Sequence, residues 1–425
     1  MLNLVSLPYF EFMIRFERHT LANGLKVIVH RDESTPMVTT NLLYDAGSRD
    51  EEPGATGFAH LFEHLMFGGT PAVPFFDVPV MMAGGENNAF TNNDITNYYI
   101  TLPSNNLETA LWLEADRMRG LDLREEKLNN QKSVVTEEFR QRYLNQPYGD
   151  LLLLLRPLAY RVHPYRWPAI GMDISHIERA DSRSAREFYD RFYTPSNCIL
   201  SVAGSVDPEV VFMLAGKWFG DIPAGAQNGR HLAREPEQDE RRELTVHRKV
   251  PAAQLIMAFH TGPRNSRDFY ILDLLTDILA GYDSARFPSI LVRKKELFSN
   301  ADIYLSGEAD PGLVLFSGRI REGIDIKKAE EAITAEFNRL GEEYVTAAEL
   351  EKARNRYESN RLMSYMSATN KAFNLAYQEV LGDAEGINSE REQYMSVTAE
   401  EIMDASQRTF RAGNCNVIHY LPGKR

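Results

Sequence analysis

The 425-residue chain contains two cysteines, Cys198 and Cys415, which lie far apart in the sequence. So few cysteines exclude a small disulfide-stabilised scaffold, and each begins an apolar run, so we expect two buried strand thiols. Basic residues are the minority, 47 against 60 acidic ones, for a formal net charge of −13. This balance argues against a protein that binds nucleic acid or anionic membranes through a broad basic surface.

Long apolar runs are absent as well. No stretch approaches the roughly 18 apolar residues of a membrane span, and the leucine run at 151–155 ends at Arg156. The first 13 residues lack a basic region and a small-residue cleavage site, so they form a poor secretory signal. We therefore expect a cytoplasmic protein, with a periplasmic one as the alternative if a signal peptide is missing from the sequence.

The length predicts two domains, and the interspersed strands and helices lack a regular βαβ rhythm, which indicates the α+β class. Residues 225–243 are rich in Gly, Pro and charge, so we predict a linker there. It separates an N-terminal domain at 14–224 from a C-terminal domain at 244–425. Both end in a helix, a short loop and a strand that starts with Asn-Cys, which indicates either a duplicated domain or a chance match.

The most informative motif is His60-x-x-Glu63-His64, within a helix predicted at about 56–67. Residues four apart share a helix face, so both imidazoles can reach one cation, and Glu63 can reach a water molecule beside it. Two nitrogen ligands and a nearby carboxylate base are what metal-assisted hydrolysis needs. The alternative is a buried helix whose two histidines are satisfied by hydrogen bonds.

A catalytic zinc needs a third protein ligand. A long amphipathic helix predicted at about 125–144 directs Glu138 toward its apolar face, with Glu137 about 100° away. A carboxylate on an apolar face is costly unless it is paired or bound to a metal. The alternative for Glu138 is therefore a salt bridge to Arg117 or Arg142.

A third feature is the double glycine and short polar strand at 84–96. This pattern is typical of an exposed sheet edge, which can bind an extended peptide through main-chain hydrogen bonds. A solvated hairpin with asparagine-rich turn chemistry is the alternative.

Together these segments resemble the inverted-zincin peptidases, the family of pitrilysin, insulysin and the mitochondrial processing peptidase β subunit. The family's metal helix matches residues 60–67, its third-ligand helix matches 134–138, and its substrate-binding strand matches 88–91. Weaker matches lie at 21–25, 163–165, 170–171 and 192–197. The second half of the chain looks like the family's degenerate repeat without metal ligands.

The resemblance implies that His60, His64 and Glu138 bind one zinc per chain, and that Glu63 is the general base. The N-terminal domain is then the catalytic zinc-peptidase domain, and the C-terminal domain is a homologous one without ligands.

The resemblance also places substrate binding on the edge strand. It implies that Asn88 and Ala89 hold the peptide backbone beside the metal, with Phe90 on the same strand. The family's second half supplies an arginine and a tyrosine seven residues apart that contact the substrate. Arg293 is the candidate arginine, but the tyrosine position is Asn300.

Two departures from the family pattern follow. Tyr304 lies four residues after Asn300, outside the family's seven-residue spacing. Gln131, seven residues before Glu138, stands where many members carry a glutamate that supports a histidine.

The family encloses peptides in a chamber of four homologous domains, in one long chain or two short ones. The resemblance therefore implies two domains of mixed or antiparallel sheet, flanked by helices, that form half of a clamshell chamber. It further implies a homodimer, or a heterodimer with a homologous subunit. The resulting hypothesis is a zinc endopeptidase that cleaves unfolded peptides held as an added strand; the alternative is a non-catalytic structural subunit of the same fold.

Overall fold

The computed structural model describes residues 13–226 and 229–423 of the chain. Three sequence-based interpretations fall partly outside these residues: the N-terminal signal assessment at 1–12, the linker at 227–228, and the domain end at 424–425. Within the described ranges, no helix combines the length and apolar character that crossing a membrane would require.

The strands of the first half form one sheet. Their bounds are β1 (Glu17–Thr20), β2 (Lys26–Arg31), β3 (Met37–Tyr44), β4 (Glu86–Thr91), β5 (Thr96–Pro103) and β6 (Cys198–Gly204). The spatial order is β1-β2-β6-β3-β5-β4, and all neighbours are antiparallel except β2 and β6. Because β4 is the last strand in this order, it lies at an edge of the described sheet.

The helices of the first half share a core with this sheet, except the helix at Leu151–Ala159, which packs on the sheet of the second half. Their bounds are α1 (Phe58–Leu65), α2 (Asp77–Met82), α3 (Leu107–Arg119), α4 (Glu125–Phe139), α5 (Leu151–Ala159), α6 (Ile174–Glu178), α7 (Ser182–Phe192) and α8 (Pro208–Phe219). Leu42, Tyr98 and Leu200 of the sheet form one core with Phe62 of α1 and Leu111 of α3. The helix predicted to reach residue 144 leaves the α-helical path after Phe139 and continues as a π-helical turn, Arg140–Leu144.

The second half repeats this plan. Its strands are β7 (Arg242–Arg248), β8 (Gln254–His260), β9 (Phe298–Leu305), β10 (Leu313–Ile320) and β11 (Cys415–Pro422). Their order, β7-β11-β8-β10-β9, corresponds strand for strand to β2-β6-β3-β5-β4, including the single parallel pair. The helices are α9 (Arg267–Ala280), α10 (Ile326–Glu342), α11 (Ala347–Ser364), α12 (Ala368–Leu381), α13 (Gly386–Met395) and α14 (Ala399–Thr409). The predicted α+β class with two helix-flanked sheets is confirmed.

Each half lends a helix to the sheet of the other. α5 packs on β7, β8 and β11 of the second sheet, whereas α12 packs on β3 and β6 of the first. Ile28 and Leu43 of the first sheet meet Leu375 of α12 in one buried cluster. Each of these two helices buries apolar side chains on the sheet of the other half, and this burial joins the halves. Among the described residues, no helix or strand lies between α8 and β7, the interval that contains the predicted linker.

Candidate metal centre

The helix α1 is capped by a carboxylate from outside it. It follows Gly57, whose φ of 92° favours glycine, and a Cβ there would lie 2.7 Å from the carbonyl oxygen of Ile170. Glycine has no side chain to cap the helix, and Glu51 supplies the acceptors instead. Its two carboxylate oxygens accept hydrogen bonds from the backbone N–H groups of Gly57 and Ala59, each at 2.8 Å. Burial raises the pKa of Glu51 well above its usual value.

Two helices bring three potential ligands together. Oε2 of Glu138 on α4 lies 3.3 Å from Nε2 of His64 and 3.7 Å from Nε2 of His60, both on α1. One ligand atom from each residue lies within 4.8 Å of the others. Across residues 13–226 and 229–423, no other group of three or more His, Cys, Asp or Glu residues meets this criterion. A cation between α1 and α4 would therefore reach all three side chains.

The salt-bridge alternative for Glu138 is also present, on the other oxygen of the carboxylate. Oε1 forms an ion pair with Nη1 of Arg142, 2.7 Å away. Arg117, the second arginine considered, instead pairs with Glu114 within the buried core. Glu138 thus faces both histidines and an arginine, and the ion pair leaves Oε2 directed at the imidazoles.

The protonation states favour binding a cation. Burial lowers the pKa of His60 to about 4, so its ring is neutral near pH 7. The hydrogen bond with His64 lowers the pKa of Glu138, against the opposing effect of burial, so its carboxylate is ionised. Two imidazole nitrogens and one carboxylate oxygen are a donor set that suits catalytic zinc. The residues present therefore fit a zinc ion.

Glu63, on α1, is directed toward Thr91 of the edge strand β4. Burial raises the pKa of its carboxyl above the usual value, and the hydroxyl of Thr91, the last residue of β4, opposes that rise. A carboxyl with a raised pKa is suited to accept and return a proton near neutral pH.

The edge strand β4 divides its side chains between two faces, as the period of two requires. Ala89, opposite Tyr98, packs against the core behind α1. Asn88 accepts a hydrogen bond from the backbone of Ala89 at 2.8 Å through its Oδ1. Phe90 faces the other side and packs edge-to-face on Phe373 of α12, with ring centroids 5.3 Å apart. Phe90 therefore joins the two halves and does not face the metal helix.

A buried network fixes the end of this strand. Asp94, in the turn after β4, accepts hydrogen bonds from Nη1 of Arg49 and from the backbone N–H of Ala309, each at 2.8 Å. The hydroxyl of Tyr165 also donates to Asp94. Because Ala309 belongs to the β9–β10 turn, the tips of the two hairpins are joined. The edge strand is thereby held against the second half.

Four further residues singled out from the sequence are Gln131, Arg293, Asn300 and Tyr304. Nδ1 of His60 is buried without a hydrogen-bond partner, so Gln131 does not support that ring within the described residues. Arg293 donates hydrogen bonds to the backbone oxygen of Asp283 and to Ser289, both in its own half. Asn300 and Tyr304 both lie on β9, the edge strand of the second sheet.

Sequence reasoning did not assign roles to Glu51 or Thr91, and it named Arg142 only as a possible salt-bridge partner of Glu138. Thr91 has a detectable signal, since it lies two residues after Ala89 and shares its face of β4. Arg142 has one too, since it lies four residues after Glu138. No local pattern indicates Glu51, because its partners are backbone groups of a helix it precedes.

Comparison with known proteins gives consistent matches. Two family models match the chain: Insulinase (Peptidase family M16) at residues 26–166 and Peptidase M16 inactive domain at residues 180–357. The zinc protease PqqE of Helicobacter pylori is 29% identical over 97% of this chain and 94% of its own length. A crystal structure of a protease from Helicobacter pylori, 29% identical, superposes with a TM-score of 0.91 over 96% of this chain and 100% of that one.

A longer relative shares the fold. The periplasmic protease PqqL of Escherichia coli superposes with a TM-score of 0.78 at 17% identity. The match covers 96% of this chain but 47% of that one. The whole chain thus corresponds in fold to about half of PqqL.

Proposed function

Because the chain belongs to peptidase family M16, we propose that it is a zinc-dependent endopeptidase with one zinc per chain. The convergence of His60, His64 and Glu138 from two helices carries this proposal. A protein that had lost catalysis would have no need to keep two imidazoles, a third ligand and a neighbouring base in one cleft.

The chemistry divides between the ion and the side chains. When bound, zinc supplies the Lewis acidity that lowers the pKa of water and polarises a peptide carbonyl. His60 and His64 are held by α1, and Glu138 by α4, so the ligand positions are set before substrate arrives. Glu63 accepts the proton of the attacking water at its carboxylate and returns it to the nitrogen of the leaving amine.

The substrate proposed is an unfolded peptide that adds to β4 as a further strand. Within the described sheet, β4 pairs with β5 on one side, and its other side is the sheet edge. Main-chain groups of Asn88 and Ala89 then bind the peptide backbone without regard to most side chains. Since β4 must receive an extended chain, folded proteins would be poor substrates.

A second subunit is part of the proposal. The chain matches 47% of PqqL, so an enclosed chamber of that size requires another half. We therefore expect a homodimer or a heterodimer with a homologous chain. Localisation in the cytoplasm stays a prediction.

The test combines metal content with cleavage. Purified full-length protein should contain about one zinc per chain by elemental mass spectrometry. It should cleave a quenched fluorescent peptide library, alone or with a co-encoded homologous chain. Activity should be lost with a chelator and restored by zinc. Stoichiometric zinc without cleavage in either assembly would favour the structural-subunit alternative, and a protein that never binds zinc would contradict the metal centre itself.

A further inference from the structure

The two oxygens of Glu138 have different partners. Oε2 faces Nε2 of His64 at 3.3 Å and Nε2 of His60 at 3.7 Å, while Oε1 receives the Arg142 guanidinium at 2.7 Å. We propose that Arg142 is a positioning residue that holds Oε1 and so leaves Oε2 as the single Glu138 donor to the metal. This inference rests on the proposed function and adds a residue to its metal site.

Helix geometry explains why Arg142 reaches this carboxylate. It follows Glu138 by four residues, the spacing at which side chains meet on one side of a helix. It lies within the π-helical turn Arg140–Leu144, which directly continues α4. Turns of this kind are often found at functional sites because they shift where side chains project.

Arg140, in the same turn, provides a natural comparison. Its guanidinium pairs with Glu137 at 3.8 Å and with Glu178 of α6 at 3.5 Å. Both arginine side chains are largely exposed, 47% for Arg140 and 70% for Arg142. Two exposed arginines on one turn thus pair with different carboxylates, and of these two only Arg142 contacts a carboxylate that faces the histidines.

The coordination chemistry gives this contact a consequence. A carboxylate can bind a cation through one oxygen or through both. Catalytic zinc sites use three protein ligands and keep one further position open for water or substrate. A second oxygen from Glu138 would add a fifth ligand and crowd that position. The ion pair with Nη1 of Arg142 at 2.7 Å holds Oε1 toward the guanidinium, so Arg142 restrains Oε1 from turning toward the ion.

Metal affinity alone would not reveal this role. Arg142 orders Glu138, which favours binding, but its positive charge repels a cation, and the two effects oppose each other. Since the guanidinium is exposed to water, its repulsion is weak. Removing Arg142 should therefore change zinc affinity by less than about tenfold in either direction. The number of ligands around the metal should change instead.

The experiment loads full-length protein with cobalt(II), whose visible absorption is intense with four ligands and weaker with five. Parent protein and Arg140→Met should give the intense spectrum, and Arg142→Met the weaker one with the metal retained. Arg142→Lys, which keeps a charged donor, should recover part of the intensity. In parallel, kcat of Arg142→Met should fall roughly tenfold with KM near the parent value.

The following results would overturn the inference about Arg142 or the proposed function. An Arg142→Met spectrum identical to that of the parent would overturn the inference and leave the proposed function intact. Loss of metal from that variant would also overturn it, because Arg142 would then hold the metal site together. Should Arg142→Met fail to fold, Arg142→Gln replaces it with the same expected spectrum. Parent protein that binds no cobalt at these residues would overturn both proposals.

Discussion

The two halves place the same pair of helices at the same point of the fold but fill it with different chemistry. In the first half, α1 and α4 bring together two imidazoles and a carboxylate. In the second half, α9 and α11 are their counterparts in chain order and also pack on each other. There Asp277 of α9 pairs with Arg356 of α11 at 3.2 Å. Between these two helices the second half thus has a carboxylate–arginine ion pair.

The comparison extends to spacing and protonation. Asp273 and Asp277 are four residues apart on α9, as His60 and His64 are on α1. Burial raises the pKa of Asp277 to about 6, whereas it lowers that of His60 to about 4. Burial favours the neutral form in both cases. Near pH 7 the imidazole of His60 is neutral and keeps a lone pair for a metal, whereas Asp277 is still mostly ionised and is paired with Arg356.

The largest effect should come from removing a metal ligand in the first half. Removing its counterpart in the second half should leave zinc binding and cleavage unchanged. His64→Ala should lose stoichiometric zinc and reduce peptide cleavage to background, because two donors cannot hold a catalytic zinc firmly. Asp277→Asn should keep both zinc and cleavage. Elemental analysis and a peptide assay of both variants measure this, and loss of zinc from Asp277→Asn would break the distinction between the halves.

Next in size is the loss of the general base. Glu63→Gln should keep zinc and lower kcat about 10²- to 10⁴-fold, because the amide cannot accept the proton of the attacking water. Glu137→Gln is the matched control, an exposed carboxylate beside Glu138 on α4. Steady-state kinetics with metal analysis tests this. Equal rates in Glu63→Gln and the parent would show that the acid–base chemistry lies elsewhere.

The free energy of unfolding should depend on pH through Asp277 of the second half. The folded-state pKa of Asp277, about 6, exceeds the usual 3.8, so its stabilising effect is present below pH 4 and is lost as pH rises through 6. Between pH 4 and 7 the parent should lose about 2–3 kcal/mol of unfolding free energy relative to Asp277→Asn, which cannot titrate. Urea unfolding of both proteins across this range measures the difference, and parallel curves would contradict it.

The smallest effects concern the hydrogen bonds that cap the N-termini of α1 and α9. α1 depends on Glu51, so Glu51→Gln should cost about 1–3 kcal/mol by leaving a buried donor facing another donor. The N-terminus of α9 is capped locally by Ser266, whose Oγ accepts from the backbone N–H of Phe269 at 3.3 Å. Ser266→Ala should cost about 1 kcal/mol. Thermal unfolding of both variants compares them; an equal or larger loss for Ser266→Ala would contradict the stronger dependence of α1.

Local patterns in the sequence predict much of the fold and part of the site. The four-residue spacing of His60 and His64 indicates a shared helix face, and the structure has both on α1. The polar alternation within residues 84–96 predicts a short strand, which is β4. Glu138 could be proposed from its place on an apolar helix face, but the choice between a metal and an arginine could not be made. In the structure one oxygen of Glu138 faces the two imidazoles and the other faces Arg142.

Contacts between distant segments were not predictable. The packing of Phe90 on Phe373 depends on α12 crossing to the first sheet. The cap on α1 depends on the path of the chain from Glu51 to Gly57. The restraint on β4 comes from Ala309, a backbone group of the second half. Periodicity describes one element at a time and does not specify which element packs on which.

By itself the sequence determined the elements and the residue types: a helix with two histidines on one face, an amphipathic helix with an inward carboxylate, and a polar strand. These follow from backbone hydrogen bonding and side-chain alternation, which act over a few residues. Only the tertiary structure decided that α1 and α4 meet with Nε2 of His64 3.3 Å from Glu138. It also decided that α9 and α11 meet with Asp277 paired to Arg356. Burial of apolar surface between distant segments sets those distances, and it depends on the whole chain.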